Sequence, residues 1–123
     1  MEGKITFNAF EKELMHEMRN MMHNSEDRVD LENQCSNIMM TLLKRVLENR
    51  NIPFEIDADD ISFDPAAAGY YSISRRLDRM KAFRNLRDQS DLASVLGRFA
   101  GMAHNKYLHL SKHPEKARFK IRN

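Results

Sequence analysis

Apolar side chains recur at three- and four-residue steps over residues 25–50: Val29, Leu31, Cys35, Ile38, Met39, Leu42, Leu43, Val46 and Leu47. That spacing puts them on one face of a 3.6-residue helix, opposite Asp30, Glu32, Asn33, Asn37, Lys44, Arg45 and Glu48. The stripe is wide, as suits a central helix with more than one neighbour. Ser25 is the expected N-cap, Glu26 and Asp27 suit the positive end of the helix dipole, and Asn49, Asn51 and Pro53 end the helix.

A shorter helix precedes it. Phe7, Phe10, Leu14, Met18 and Met21 share a face, broadened by Met15 and Met22. Asn8 followed by Glu11 forms a capping-box pattern, with Thr6 as a rival cap. This helix should end near His23 and Asn24, and so short a junction predicts an antiparallel helical hairpin or a sharply bent pair.

The period changes over residues 51–69. Ile52, Phe54 and Ile56 alternate with polar residues or proline, and Ile61 and Phe63 alternate again. Two readings stay open: a small hairpin with Pro53 at its edge, or an extended loop pinned to the bundle by its apolar residues. The loop is preferred, since a lone two-stranded ribbon is marginal. Asp64 and Pro65 read as cap and first residue of one helical turn, which Gly69 ends.

A third helix follows, capped by Ser72 or Ser74, with Ile73, Leu77, Met80, Phe83 and Leu86 as apolar positions. Phe83 and Leu86 drift around its wheel toward Arg75, Arg76 and Arg79. A fourth helix starts at Ser90 and Asp91 and carries Leu92, Val95, Leu96, Phe99, Ala103, Tyr107 and Leu110. Gly97 and Gly101 inside it cost helix propensity. Either another helix approaches closely there, from this chain or a second copy, or the helix breaks near Gly101. The fold expected is an all-α antiparallel bundle of about four principal helices, with an irregular or weakly β insertion between the second and third. Residues 1–123 read as one helical domain. Residues 112–123 read as a flexible basic tail, an extended arm, or a strand completing the middle segment.

Composition narrows the function classes. With 41% hydrophobic and 31% charged residues, the chain has the balance of a soluble globular domain rather than a disordered one. The net charge is only +2, so any nucleic-acid reading must rest on a local patch. One cysteine excludes an internal disulfide, and Cys35 on the central stripe reads as a buried thiol in a reducing compartment. No stretch has the length or apolarity of a membrane span or secretory signal, so a cytoplasmic location is the default expectation.

Candidate chemistry is sparse. Glu13 and His16 have the E-x-x-H spacing of two-metal helical bundles, but no second such pair exists, and both lie off the apolar line. Glu55, Asp57, Asp59, Asp60 and Asp64 are acidic, yet the central glycine and closing glutamate of a calcium loop are missing. His104 with Lys106 lacks phosphotransfer spacing, Leu108 standing where glycine is wanted. No metal or other cofactor is expected. With no nucleophile–base pair or cofactor loop, an enzyme using the middle carboxylates and arginines ranks last.

The expected function is a small interaction protein with a regulatory, adaptor or assembly role, self-associating as a dimer or larger closed oligomer and binding a further, unidentified protein. Its expected surface comprises Tyr70, Tyr71, Arg75, Arg76, Arg79, Arg84 and Met40, with the acidic loop pointing away from the arginines. The alternative is a nucleic-acid-associated protein using Arg76, Arg79, Lys81, Arg87, Lys116, Arg118, Lys120 and Arg122, with Arg75 and Arg84 beside them.

Overall fold

The central helix forms where the wide stripe predicts it. In the computed structural model, which describes residues 5–112, α2 (Arg28–Asn49) buries Leu31, Cys35, Met39, Leu42, Leu43, Val46 and Leu47. Val29 leaves the stripe and is 67% exposed. The cap is Asp27 rather than Ser25: the Asp27 carboxylate accepts the Asp30 amide at 2.8 Å. A carboxylate also gains from the positive end of the helix dipole, which a hydroxyl does not. Ser25 is buried and donates its hydroxyl to the Met21 carbonyl at 2.6 Å, so it closes the preceding helix. Asn51 leaves α2 with φ of +58°, the left-handed exit that asparagine tolerates.

Helix α1 (Asn8–Asn24) buries Leu14, Met18 and Met21 against α2, with Phe7 buried just ahead of it. The Asn8–Glu11 capping box does not form. Thr6 Oγ1 accepts the Asn8 amide at 3.3 Å, and Asp91 supplies the stronger cap from far along the chain. Its two carboxylate oxygens accept the Phe7 amide at 2.8 Å and the Thr6 hydroxyl at 2.7 Å. Ile5 bridges to Ser90 alongside, donating to the Gln89 carbonyl at 2.8 Å and accepting the Asp91 amide at 3.0 Å.

The insertion holds a real but minimal ribbon, with a pairing that differs from the expected one. Strand β1 (Ile61–Phe63) pairs antiparallel with β2 (Tyr71–Ile73), in the register Ile61 to Ile73 and Phe63 to Tyr71. Residues 52–57 join no ladder; Ile52, Phe54 and Ile56 lie half-buried along the bundle. Support comes from α2: the Ser36 hydroxyl accepts the Phe63 amide at 2.9 Å, and Ile61 and Phe63 are buried. Asp64 accepts the Ala66 amide at 2.9 Å, making a turn before the 3₁₀ stretch Ala68–Tyr70. Both Gly69 and Tyr70 are left-handed there, with φ of +75° and +68°. For tyrosine that conformation is strained. It is held by hydrogen bonds from Tyr70 to Ala67 and from Asp64 to Tyr70, and by the Tyr70 ring lying on His104.

The expected third helix is two helices. α3 (Arg75–Asp78) is a single turn capped by Ser74, and α4 (Lys81–Gln89) starts after Met80, which takes an extended backbone. The break resets the helical phase, so Leu77 on α3 and Phe83 and Leu86 on α4 can all be buried. Ile73 belongs to β2 instead.

Helix α5 (Leu92–Lys112) runs unbroken past both glycines. It lies parallel to α1: Asp91 meets Phe7 at one end, Arg98 meets Glu11 further along, and Met22 and Met102 line one groove beyond. α2 runs antiparallel to both, with Arg45 paired to Glu13 and Arg28 over the Tyr107 ring. The four principal helices α1, α2, α4 and α5 thus enclose one core, with α3 and the ribbon packed on its side. Of the basic tail, Lys116, Arg118, Lys120 and Arg122 lie outside the described residues.

Cys35 is fully buried on α2, and burial pushes its thiol up to about 12. It should therefore be inert to a disulfide reagent such as DTNB in the native protein and react fully once denaturant is added. Rapid reaction under native conditions would show that α2 opens without global unfolding.

Candidate functional site

Two surfaces stand out from the bundle: an elbow of cations at the α3–α4 break, and the outward face of α5.

The elbow is fixed by Asp60. This carboxylate is 1% exposed and accepts the Ser74 hydroxyl at 2.7 Å, the Arg76 guanidinium at 2.6 Å and the Asp57 amide at 2.9 Å. Burial alone would raise its pKa. The bonds from Ser74, Asp57 and Arg76, with the Arg76 charge, overcome that and hold it below the ordinary carboxylate value. Arg76 also reaches Asp57 at 3.5 Å, donates to the Glu55 carbonyl at 3.0 Å and lies 4.3 Å over the Phe54 ring. The acidic loop therefore folds back on Arg76 rather than pointing away from it, because the β1–β2 pairing brings Asp60 directly opposite Ser74.

Two more arginines are tied within the chain, Arg84 of the expected interaction surface and Arg87 of the nucleic-acid alternative. Arg84 donates to the carbonyls of Asp78 and Arg79 at 3.0 and 2.8 Å, capping the C-terminal end of α3. Arg87 pairs with Asp78 at 2.9 Å and lies over Phe83. Arg75, Arg79 and Lys81 are exposed and make no side-chain hydrogen bond or ion pair among the described residues.

The tyrosines are also occupied. The Tyr70 ring stacks on His104 with centroids 3.8 Å apart and planes 6° apart. Tyr71 is half-buried in β2; burial raises its phenol above the usual value, against the pull of the nearby Arg87 charge. Met40 is half-buried and packs against the core. Glu13 is taken by Arg45, and His16 bonds with Asn20 at 3.2 Å. Among the described residues there is no group of three or more histidines, cysteines or carboxylates able to hold a metal ion, and no helix is long and apolar enough to cross a membrane.

The α5 face differs in kind. Its buried arc is Leu92, Val95, Leu96, Phe99, Ala100 and Ala103. The opposite arc carries Ala93, Ser94, Gly97, Gly101, Asn105 and Leu108, with no charge along its middle. By contrast, the outer face of α1 shows Lys12, Glu13, Glu17 and Arg19. A methyl group placed at Gly97 or Gly101 would meet nothing within 4 Å. Neither a close neighbour among the described residues nor a helix break therefore accounts for these glycines. Leu108 is 42% exposed, one of two large apolar side chains so exposed among the described residues. Beside this face, Arg19, Met22, His23, Met102, Asn105 and Lys106 line a shallow groove of about 540 Å³.

Sequence reasoning missed two residues that position these surfaces. Glu11 is buried and grips Arg98 with both oxygens, at 2.6 and 2.8 Å, locking α1 to the edge of the α5 face. Its signal was its place on the stripe Phe7, Leu14, Met18, Met21, where a lone charge needs a partner. Asp60 had no comparable local signal, since its partners depend on strand pairing. Comparison with known proteins finds no matching family model, no matching curated sequence and no matching solved structure.

Proposed function

We propose that the chain is a small helical interaction protein with an assembly role, and that its first partner is a second copy of itself, docked through the outward face of α5. The observation that carries this reading is the uncharged strip Ser94, Gly97, Gly101, Asn105, Leu108, where two glycines weaken the helix with no reason among the described residues. The strip is self-complementary. With two antiparallel copies related by a two-fold axis at Gly101, Leu108 of one falls opposite Ser94 of the other, and Asn105 opposite Gly97. A large residue thus meets a small one on each side of the axis, as an isologous contact requires. From Ala93 to Leu108 the seam is about 22 Å long, and the Met22–Met102 groove widens it. A face of that size sits at the low end of stable interfaces, so micromolar association is expected.

Light scattering over a concentration series should rise toward twice the 14.5 kDa chain mass, and Gly101→Arg should hold the mass at one chain. The alanine variants give a sharper test, because their effect should change sign. In dilute monomer, Gly97→Ala and Gly101→Ala should each raise stability by about 1 kcal/mol. In concentrated dimer they should weaken association by holding the helices apart. Monomeric mass at all concentrations, or uniform stabilisation by both alanines, would refute self-association.

A further inference from the structure

We propose that the α3–α4 elbow is a docking point for the phosphodiester backbone of nucleic acid, independent of the α5 seam. Arg75, Arg79, Lys81 and Arg84 surround it. Arg79 keeps helical backbone angles, so Arg75 and Arg79 stand one turn apart on one face. Lys81 opens α4, and Arg84 reaches back to the carbonyls of Asp78 and Arg79, which fixes its guanidinium beside the same break. Carbonyls accept its hydrogen bonds but leave its charge whole. Asp78 is taken by Arg87, and Asp57 and Asp60 by Arg76. Four cations within ten residues therefore lack a carboxylate partner among the described residues, in a chain whose net charge is only +2.

The chemistry around them selects the ligand. A protein interface needs an apolar or aromatic centre. Here Tyr70 is spent on His104, Tyr71 is half-buried, Leu77 and Phe83 are buried, and the exposed neighbour Ala82 offers only a methyl. Charge without an apolar anchor suits phosphate contacts, which position a strand without reading its bases. With no exposed aromatic among the described residues, base stacking contributes little, and binding should be weak, sequence-neutral and governed by counterion release.

The test uses the full chain and fluorescein-labelled oligo-dT, oligo-U and a mixed-sequence duplex, read by anisotropy across a salt series. Four phosphate contacts predict a slope of log K against log salt of about −3 for the single strands. Arg75→Glu with Arg79→Glu should weaken binding at least tenfold at low salt. The milder Arg75→Gln with Arg79→Gln should cut the slope by about half. Neither arginine has a partner among the described residues, so both variants should melt like the parent. Lys12→Glu with Lys44→Glu changes the net charge equally on other helices and should leave most of the binding intact. No binding at low salt, equal loss in the Lys12/Lys44 control, or unchanged binding in the arginine variants would overturn the assignment. Competition by poly-glutamate as effective as that by oligo-dT at equal charge would overturn it too, in favour of an acidic peptide.

Discussion

Replacing Asp60 with alanine should lower stability by about 3 kcal/mol and the melting temperature by roughly 10 °C. The carboxylate is buried, and its removal orphans three donors at once: the Ser74 hydroxyl, the Asp57 amide and one arm of Arg76. Arg76 is half-exposed and can turn to water, so its share of the loss is modest. Ser74 and Asp57 cannot turn so easily: Ser74 is the cap of α3 and its amide is bonded to the Asp60 carbonyl, while Asp57 accepts the Asp59 and Asp60 amides in a turn. Asp60→Asn, which keeps an acceptor but not the charge, should cost less.

Acid should act on the same group. The folded-state pKa of Asp60 lies below its ordinary value of 3.8. Its contribution is therefore complete above the unfolded-state pKa and fades as the pH falls through the depressed native one. Urea unfolding at neutral pH and below pH 4 measures both effects. The gap between parent and Asp60→Ala should narrow in acid. A neutral-pH loss under about 1 kcal/mol would show that the Asp60–Arg76 network is surface decoration rather than the fixture of the elbow.

The helices were legible to the degree that their information is local. The α2 stripe needs only the 3.6-residue period; Val29 stays exposed because it sits at the edge of that stripe, in the first turn of the helix. The α3–α4 break was present in the sequence as a drift in phase: Ile73, Leu77 and Met80 define one face, Phe83 and Leu86 another. Taking the drift as occurring within one helix, rather than as two helices, hid the elbow. The ribbon partner was illegible for a different reason. Ile61 and Phe63 alternate as well with Ile52 and Phe54 as with Tyr71 and Ile73, and only the Ser36 anchor on α2 and the turn at Gly69 decide between them. The candidate surfaces divide likewise. Arg75, Arg79, Lys81, Gly97 and Gly101 could be named from composition and spacing. Which arginines are consumed, and that none of the described residues covers the glycines, are facts of tertiary packing.

Replacing Leu77 with alanine should cost about 3 kcal/mol, within the range for a leucine deleted from a core. Leu77 is fully exposed to packing and not to water: it is 0% solvent-accessible and is the one buried side chain of α3. A four-residue helix has no stability of its own, since nucleation outweighs the single turn it gains. What remains after the substitution is polar: the Ser74 cap at 3.1 Å, the Arg84 clamp on two carbonyls and the Asp78–Arg87 pair. All three are exposed or half-exposed, so water competes for them. The elbow should then loosen first. Hydrogen exchange of the Asp78 and Arg79 amides, bonded to Ser74 and Arg75 at 2.9 and 2.8 Å, should accelerate more than that of amides within α2. Nucleic-acid binding should weaken with it even though no charge has changed, because Arg75 and Arg79 lose their fixed spacing to Lys81 and Arg84. Fast exchange at the elbow with oligo-dT binding unchanged would show that the four cations act as a flexible cluster, and that the one-turn helix is not what arranges them.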